Sequence, residues 1–149
     1  MLTAKQQKFL EAARVARFAT VGLSGQPHVV PICYAIVETT AYFTIDEKPK
    51  KRAGAPLKRL RNLIDHPKAA LVVDHYEEDW SRLGWVMLQG RAEVLYVGAE
   101  HDHAQSRLRG RYVQLETMSI QTLPVVALRI DHVSSWGRLT IDEDTDTSS

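Results

Sequence analysis

Residues 17–37, RFATVGLSGQPHVVPICYAIV, decide the fold class of this chain. Apolar residues recur with a period of two on both sides of Ser24-Gly25, which predicts two strands joined by a tight turn. Pro27 and Pro31 have no N–H to donate, so we expect the second strand at a sheet edge or bulged near Pro31. Strands joined by tight turns favour an antiparallel sheet, because parallel strands need long crossover connections.

Further segments continue this pattern. A turn at residues 38–40 leads to a third strand, AYFTI (41–45), and the first three strands are expected to form a meander. Later strands are predicted in AALVVDH (69–75), WVMLQGRAEVLYV (85–97) and PVVALRIDHVSSWG (124–137), with a bulge or bend at Gly90. About six strands with few helices predict a mainly β (α+β) fold, a small antiparallel barrel with flanking helices.

The remaining segments predict helices and a tail. Residues 1–16 are typical of an amphipathic helix that begins with a capping box of Thr3 and Gln6 and carries an apolar stripe of Phe9, Leu10, Ala13 and Ala16. Residues 98–110 predict a polar surface helix or loop. We expect one domain over residues 1–140 and a disordered acidic tail over residues 141–149.

Composition and charge weigh against several functional classes. The chain has 149 residues and a net charge of +1, whereas dedicated nucleic-acid binders carry a basic excess. The single cysteine, Cys33, excludes an internal disulfide and a cysteine-based zinc site, and we expect a small buried residue there. The six histidines lack helical zinc-site spacing, so no metal is expected. Without a signal-peptide core or a long apolar run, a cytoplasmic protein with no membrane partner is expected.

Residues 44–62, TIDEKPKKRAGAPLKRLRN, concentrate seven of the 19 Lys and Arg residues. Gly54-Ala55-Pro56 predicts a helix start, followed by Leu57, Leu60 and Ile64 at helical spacing. Cations at a helix N-terminus oppose the helix dipole, and a bound anion would neutralise them and accept the free N–H groups. The alternatives are therefore an anion site and an ordinary solvated basic face.

Aromatic residues could complete a ligand site beside these cations. Trp80 and Trp85 flank a polar loop, WSRLGW, although aromatics in a small barrel more often belong to the core. A planar ring with a phosphate tail would use apolar walls for the ring and cations for the phosphate. The chain has neither a nucleophile elbow nor the glycine-rich loops of classical nucleotide folds, so no catalytic side chain is assigned.

Three segments of the sequence resemble a known family. They are RFATVGLSGQPHVVPICYAI (17–36), TIDEKPK (44–50) with LKRLRNLIDHPKAALVVDHYEEDWSRL (57–83), and VMLQGRAEVL (86–95). They are similar to pyridoxamine 5′-phosphate oxidase-like split β-barrel flavoproteins. The DEKPK and DHYEEDWSRL strings are most similar to an actinobacterial branch that depends on the deazaflavin coenzyme F-420. The resemblance extends over residues 3–139.

This resemblance implies a six-stranded split barrel that forms a homodimer with two cofactor sites at the subunit interface. Thr44, Lys48 and Lys50 would approach the cofactor, and Lys58 and Arg59 would bind its phosphate. Pro31 and Cys33 would lie beneath the ring, Gln89 would lie near it, and Trp80 or Trp85 would wall the pocket. Lys51, Arg52 and Arg61 could serve the carboxylate tail of a deazaflavin.

The implied activity is hydride transfer between coenzyme F-420 and a small organic acceptor. The same fold with FMN is the alternative cofactor reading, and a cofactor-binding protein without turnover is the alternative function. One departure from the family pattern stands near the end of the chain. Trp136, Arg138 and Leu139 are followed by Thr140 without a proline, which weighs against oxidation of vitamin B6.

Overall fold

The structure, a computed structural model, describes residues 1–45 and 58–140. Within these residues the strands are β1 (Ala16–Val21), β2 (Pro27–Ile32), β3 (Ala35–Val37), β4 (Thr40–Thr44), β5 (Lys68–His75), β6 (Gly84–Leu95) and β7 (Val125–Gly137). The helices are α1 (Ala4–Ala12), α2 (Lys58–Asp65), α3 (Ala99–Arg111) and α4 (Val113–Glu116), with a 3-10 turn at Trp80–Arg82. No helix in the described ranges is long and apolar enough to cross a membrane.

The strands form one antiparallel sheet with the order β2-β1-β5-β6-β7-β4-β3. This confirms the mainly β fold with flanking helices, and the described residues contain seven strands where about six were expected. The extra strand arises because the second predicted strand breaks at Cys33–Tyr34 into β2 and β3. The expected meander is wrong, since β2 and β3 lie at opposite edges of the sheet.

The sheet is strongly curled. In a flat sheet, β1 and β4 would lie about 19 Å apart, four strand spacings. The rings of Phe18 on β1 and Phe43 on β4 nevertheless meet edge to face with centroids 4.7 Å apart. The Cys33–Tyr34 link also holds the two sheet edges within about 11 Å of each other. The inner face therefore closes around one core, with members that include Phe9, Leu10, Leu71, Leu88, Val126 and Leu128.

Two local predictions in the sheet are confirmed. β2 is an edge strand, as its prolines require. The register of β6 against β7 shifts between Gln89 and Gly90. A Cβ at Gly90 would clash with the carbonyl oxygen of Arg129, so the bulge needs glycine at this position.

Helix α1 begins with the predicted Thr3 and Gln6 capping box but ends at Ala12, so Ala16 belongs to β1. The carbonyls at its end are bound by side chains from distant parts of the chain. Arg111 donates to the carbonyl oxygens of Leu10, Glu11 and Ala13, and the Tyr34 hydroxyl donates to Leu10 at 2.5 Å. Burial raises the pKa of Tyr34 above its ordinary value, so its hydroxyl remains a donor.

Helix α3 corresponds to the predicted polar segment, but it buries His101, Ala104, Gln105 and Leu108. The structure thus corrects the expectation of a purely surface element. The predicted helix start at residues 54–56 and the tail at residues 141–149 lie outside the described residues.

Candidate functional site

A cavity of about 170 Å³ opens where the end of β2, the end of β4 and the start of α2 meet. Its described lining consists of Val15, Pro31, Ile32, Cys33, Thr44, Arg59 and Leu115. Four of these, Pro31, Cys33, Thr44 and Arg59, are residues that the sequence singled out for a cofactor. The cavity combines one cation, one hydroxyl and one thiol with apolar walls.

Arg59 reaches the cavity from the buried face of α2 and is only 8% exposed. Three residues later, Asn62 is also buried, and its side-chain amide donates to Thr20 Oγ1 at 3.0 Å. A Cβ at Gly22 would clash with Asn62 Oδ1, so glycine lets the helix approach β1 closely. This contact fixes the face of α2 that carries Arg59, because residues three apart share one face of a helix.

The rest of α2 departs from the predicted apolar stripe. Leu60 and Leu63 are buried, whereas Ile64 is 65% exposed. Arg59 and Asn62, which the predicted stripe of Leu57, Leu60 and Ile64 did not include, are buried instead. Lys58 starts the helix and is exposed, outside the cavity lining. Lys48 and Lys50 lie outside the described residues.

Thr44 stands at the end of β4, and its hydroxyl is held by two partners. Thr44 Oγ1 donates to the carbonyl oxygen of Pro124 at 3.2 Å and accepts from Gln105 Nε2 at 2.9 Å. The backbone N–H of the next residue, Ile45, also donates to the Pro124 carbonyl oxygen at 3.2 Å. The Thr44 side chain is therefore fixed against the segment that precedes β7.

Cys33 is exposed, which corrects the expectation of a small buried residue. Ile32 and Tyr34 on either side of it are buried. Since alternate residues of an extended chain point in opposite directions, Cys33 is turned outward. The strand break at this point places it in the cavity wall together with Pro31 and Ile32.

Trp80, Trp85 and Gln89 do not line this cavity. Trp80 is 69% exposed on the 3-10 turn. Gln89 and Trp85 flank Met87 on β6, on the outer face of the sheet, where cross-strand pairs run from Pro31 through Arg17 and Val72 to Met87. Three strand spacings separate β2 from β6, about 14 Å. Within one chain, Gln89 and Trp85 therefore share the outer face with Pro31 but do not contact it.

This outer face carries apolar side chains that the core does not cover. Val29 is 58% exposed and Trp136 is 54% exposed. Half-buried apolar residues lie between them on the same face, namely Ala19, Ala70, Val72, Trp85 and Met87. An apolar face of this kind, which also carries the exposed Arg17–Asp74 ion pair at 3.7 Å, is typical of a protein–protein contact.

Charged clusters on the α3 side have structural partners. Glu100 accepts from Tyr42 and from both terminal nitrogens of Arg129, and these bonds hold the pKa of Glu100 at about 2. Burial opposes protonation of His101, but its bonds to the Leu123 carbonyl and Asp102 raise its pKa overall. In the described parts of the chain, no three His, Cys, Asp or Glu residues are grouped as metal ligands.

The sequence did not reveal the apolar lining or the support of Thr44. Leu115 belongs to α4, which has only four residues and offers no periodicity. Val15 lies in the short link between α1 and β1, and Gln105 lies in a segment assigned to the surface. Only the wrapping of α3 and α4 around the sheet brings Gln105 and Leu115 to the site.

Comparison with known proteins identifies relatives of this architecture. Residues 2–137 match the family model described as pyridoxamine 5′-phosphate oxidase. A 5a,11a-dehydrotetracycline/5a,11a-dehydrooxytetracycline reductase of Streptomyces rimosus is 31% identical over 97 residues, which are 64% of this chain and 66% of that protein. The match leaves about a third of that reductase uncovered, so the similarity does not by itself assign the reductase activity to this chain.

Solved structures show the same fold. An FAD-binding protein from Mesorhizobium loti is 27% identical with a TM-score of 0.65, over 90% of this chain and 94% of that one. A heme binding protein from Mycobacterium smegmatis is 20% identical with a TM-score of 0.70, over 93% of this chain and 55% of that one. With a family match over nearly its whole length, the chain belongs to the pyridoxamine 5′-phosphate oxidase family of split-barrel proteins.

Proposed function

We propose that this protein is an oxidoreductase that binds coenzyme F-420 or a flavin and transfers a hydride between it and a small organic acceptor. The observation that carries this proposal is the cavity in which Pro31, Cys33, Thr44 and Arg59 come together. These residues come from three separate segments of the chain. Family membership and the reductase relative support redox chemistry in particular.

The lining fits the phosphate end of such a cofactor. A guanidinium binds phosphate oxygens through two parallel hydrogen bonds, and Arg59 brings one to the cavity. The volume of about 170 Å³ is below the 300–1,000 Å³ of sites that enclose a whole drug-sized ligand. A flavin or deazaflavin ring would therefore extend beyond the cavity along the outer face, toward Arg17.

We also propose that the protein forms a homodimer, because the ring of the cofactor would otherwise lie uncovered on the outer face of the sheet. A second copy packed on the apolar outer face would cover Val72, Met87 and Trp85 and exclude water from the ring. It would also bring the partner's Gln89 and the partner's Trp85 toward a cavity that their own chain leaves about 14 Å away. The site would then be complete only in the dimer.

The cofactor supplies the hydride chemistry when it is bound. The chain's own residues bind and orient it, and the dimer contact excludes water. Cys33 and Arg59 are the ionisable side chains in the described lining, which contains no His, Asp or Glu. This agrees with a mechanism that needs no side-chain general base.

Cofactor titration tests the proposal. The purified protein is titrated with coenzyme F-420 and separately with FMN, and fluorescence reports binding. We expect saturable binding of one of them, with F-420 the tighter. Tight FMN binding without F-420 binding would move the protein to the flavin alternative, and binding of neither would refute the proposal.

Turnover distinguishes an enzyme from a carrier. The protein and the reduced cofactor are mixed with each of a panel of conjugated ketones, and the absorbance of the cofactor is followed over time. The panel includes 5a,11a-dehydrotetracycline because a relative of this chain is named as its reductase. Binding without oxidation across the panel would favour the alternative of a cofactor-binding protein without turnover.

The cationic residues are tested by a double variant. Lys58→Ala with Arg59→Ala should weaken cofactor binding about 10-fold or more, because charge-assisted bonds contribute about 1.5–3 kcal/mol each. Lys5→Ala is the control, since Lys5 is an exposed cation of α1 and is absent from the cavity lining. Unchanged affinity in the double variant would remove these residues from the site.

A further inference from the structure

Gln105 is a buried polar residue of α3 that contacts the candidate site from behind. Its side chain is 2% exposed. Its Nε2 lies 2.9 Å from Thr44 Oγ1, 2.8 Å from the carbonyl oxygen of Ile120 and 3.1 Å from that of Leu123. The amide has two protons, so the two shorter contacts, to Ile120 and Thr44, take one each, while the Leu123 carbonyl oxygen also has His101 Nε2 at 2.8 Å.

The two carbonyl contacts also fix which way the amide points. If the amide were rotated, its oxygen would face two carbonyl oxygens, and no hydrogen bond could form to either. In the orientation observed, Gln105 Oε1 is buried without a hydrogen-bond partner among the described residues. Gln105 therefore faces Thr44 as a donor, even though its own oxygen is left unsatisfied.

This assignment determines what Thr44 can offer to a ligand. A hydroxyl has one proton and two acceptor lone pairs. The proton goes to the Pro124 carbonyl oxygen, and Gln105 occupies one lone pair. One lone pair remains, so Thr44 can accept a hydrogen bond in the cavity but has no proton left to donate.

We propose that Gln105 is a positioning residue that orients Thr44 Oγ1 as a hydrogen-bond acceptor for an N–H or O–H group of the bound cofactor. Thr44 then does not bind the phosphate, whose oxygens are acceptors, and that role falls to Arg59. The inference rests on the proposed function, because it concerns the same cavity.

A purely structural role for Gln105 must be separated from this one. Gln105 also holds the segment from Ile120 to Leu123, and His101 holds the same segment through its bond to the Leu123 carbonyl at 2.8 Å. Both residues lie on α3 and both are 2% exposed. His101 has no bond to Thr44, so His101→Gln is a control that disturbs the segment without acting on the Thr44 hydroxyl directly.

The test is a double-mutant cycle with Gln105→Met and Thr44→Val, two substitutions that nearly preserve shape. Affinity is measured for whichever of FMN and coenzyme F-420 binds the unmodified protein. Gln105→Met should weaken binding about fivefold, the effect of one hydrogen bond, and should have no further effect in the Thr44→Val background. His101→Gln should change affinity less than about twofold while lowering the melting temperature as much as Gln105→Met does.

Two results would overturn the inference. One is an equal loss from Gln105→Met with and without the Thr44 hydroxyl. The other is unchanged affinity in Gln105→Met when Thr44→Val weakens binding.

A second readout needs no cofactor, so failure of the proposed function can be told apart from failure of this inference. NMR scalar couplings of Thr44 in the cofactor-free protein report its χ1 angle. We expect one rotamer in the unmodified protein and in His101→Gln, and averaging between rotamers in Gln105→Met. A single rotamer in Gln105→Met would overturn the positioning role whether or not either cofactor binds.

Discussion

Arg59 and Arg129 place the same side chain in two different environments. Arg129 contacts Glu100 through both terminal nitrogens and Glu93 at 3.3 Å, and its side chain is 37% exposed. Arg59 is 8% exposed and lines a cavity together with Thr44 and Cys33. Arg129 thus joins β7 to α3 through carboxylates of its own chain, whereas Arg59 lines a concave surface. Arg129 forms a structural ion pair, and we propose Arg59 for the ligand site.

A charge introduced on the outer face of the sheet should have the largest effect on cofactor affinity. Met87→Glu would place a carboxylate in the centre of the proposed dimer contact, and an unpaired buried charge costs several kcal/mol. We expect monomers by light scattering and a loss of cofactor affinity of more than about 100-fold, because the cavity would lose its covering subunit.

Glu93→Gln is the control for this substitution, since Glu93 contacts Arg129 and is absent from the cavity lining. Monomers that bind the cofactor as tightly as the unmodified protein would show that one chain forms the complete site.

The next largest effect on cofactor affinity comes from replacing the two arginines one at a time. Arg59→Met should weaken cofactor binding about 10- to 100-fold, because it removes a charge-assisted pair of bonds to the phosphate. Arg129→Met should leave affinity unchanged and lower the free energy of unfolding instead. Affinity is measured by fluorescence titration and stability by urea unfolding, and an exchange of these outcomes would contradict the distinction.

Gly22 connects the cavity to the packing of α2. Gly22→Ala should displace Asn62 and break its bond to Thr20, which costs about 1–3 kcal/mol when a buried partner is left unpaired. Because Arg59 lies on the same face of α2, cofactor affinity should also fall. Gly110→Ala is the matched control, as a Cβ at Gly110 meets no atom within 4 Å. A stable Gly22→Ala protein with unchanged affinity would contradict this linkage.

The smallest expected effect is the pH dependence of the Glu100 cluster. The Arg129 and Tyr42 hydrogen bonds hold the pKa of Glu100 at about 2, below its ordinary value of 4.5. Stability from this cluster is therefore present above about pH 4.5 and is lost as the pH falls through about 2. The side chains of Glu100 and Arg129 are 40% and 37% exposed, so solvent screening limits the contribution to about 1 kcal/mol.

Urea unfolding between pH 2 and pH 7 checks this effect. Glu100→Gln should flatten the pH dependence in this window and leave cofactor affinity unchanged. A profile as steep as that of the unmodified protein would show that Glu100 does not contribute.

The sequence predicted the features that short segments determine. The Thr3 capping box, the edge position of β2 and the bulge at Gly90 each depend on residues close in sequence or on one special residue. The strand break at Cys33–Tyr34 was missed because its cause is remote. The Tyr34 N–H is bound by the Tyr112 hydroxyl at 3.1 Å, and the two residues are 78 positions apart.

Contacts between residues remote in sequence also limit how much of the site could be predicted from the sequence. Pro31, Thr44 and Arg59 could be proposed because motif and charge mark them, but their meeting in one cavity depends on the curl of the sheet. Leu115 and Gln105 carry no local signal and reach the site only through the packing of α4 and α3. The predicted roles of Lys48 and Lys50 stay predictions, since these residues lie outside the described ranges.

The most direct test of the central claim is the affinity of Arg59→Met and Arg129→Met for coenzyme F-420 and FMN, measured beside the unmodified protein. We expect the unmodified protein and Arg129→Met to bind one of these cofactors equally well, and Arg59→Met to bind it at least about 10-fold more weakly. Equal affinity in all three proteins, or no binding by the unmodified protein, would contradict a cofactor site at this cavity.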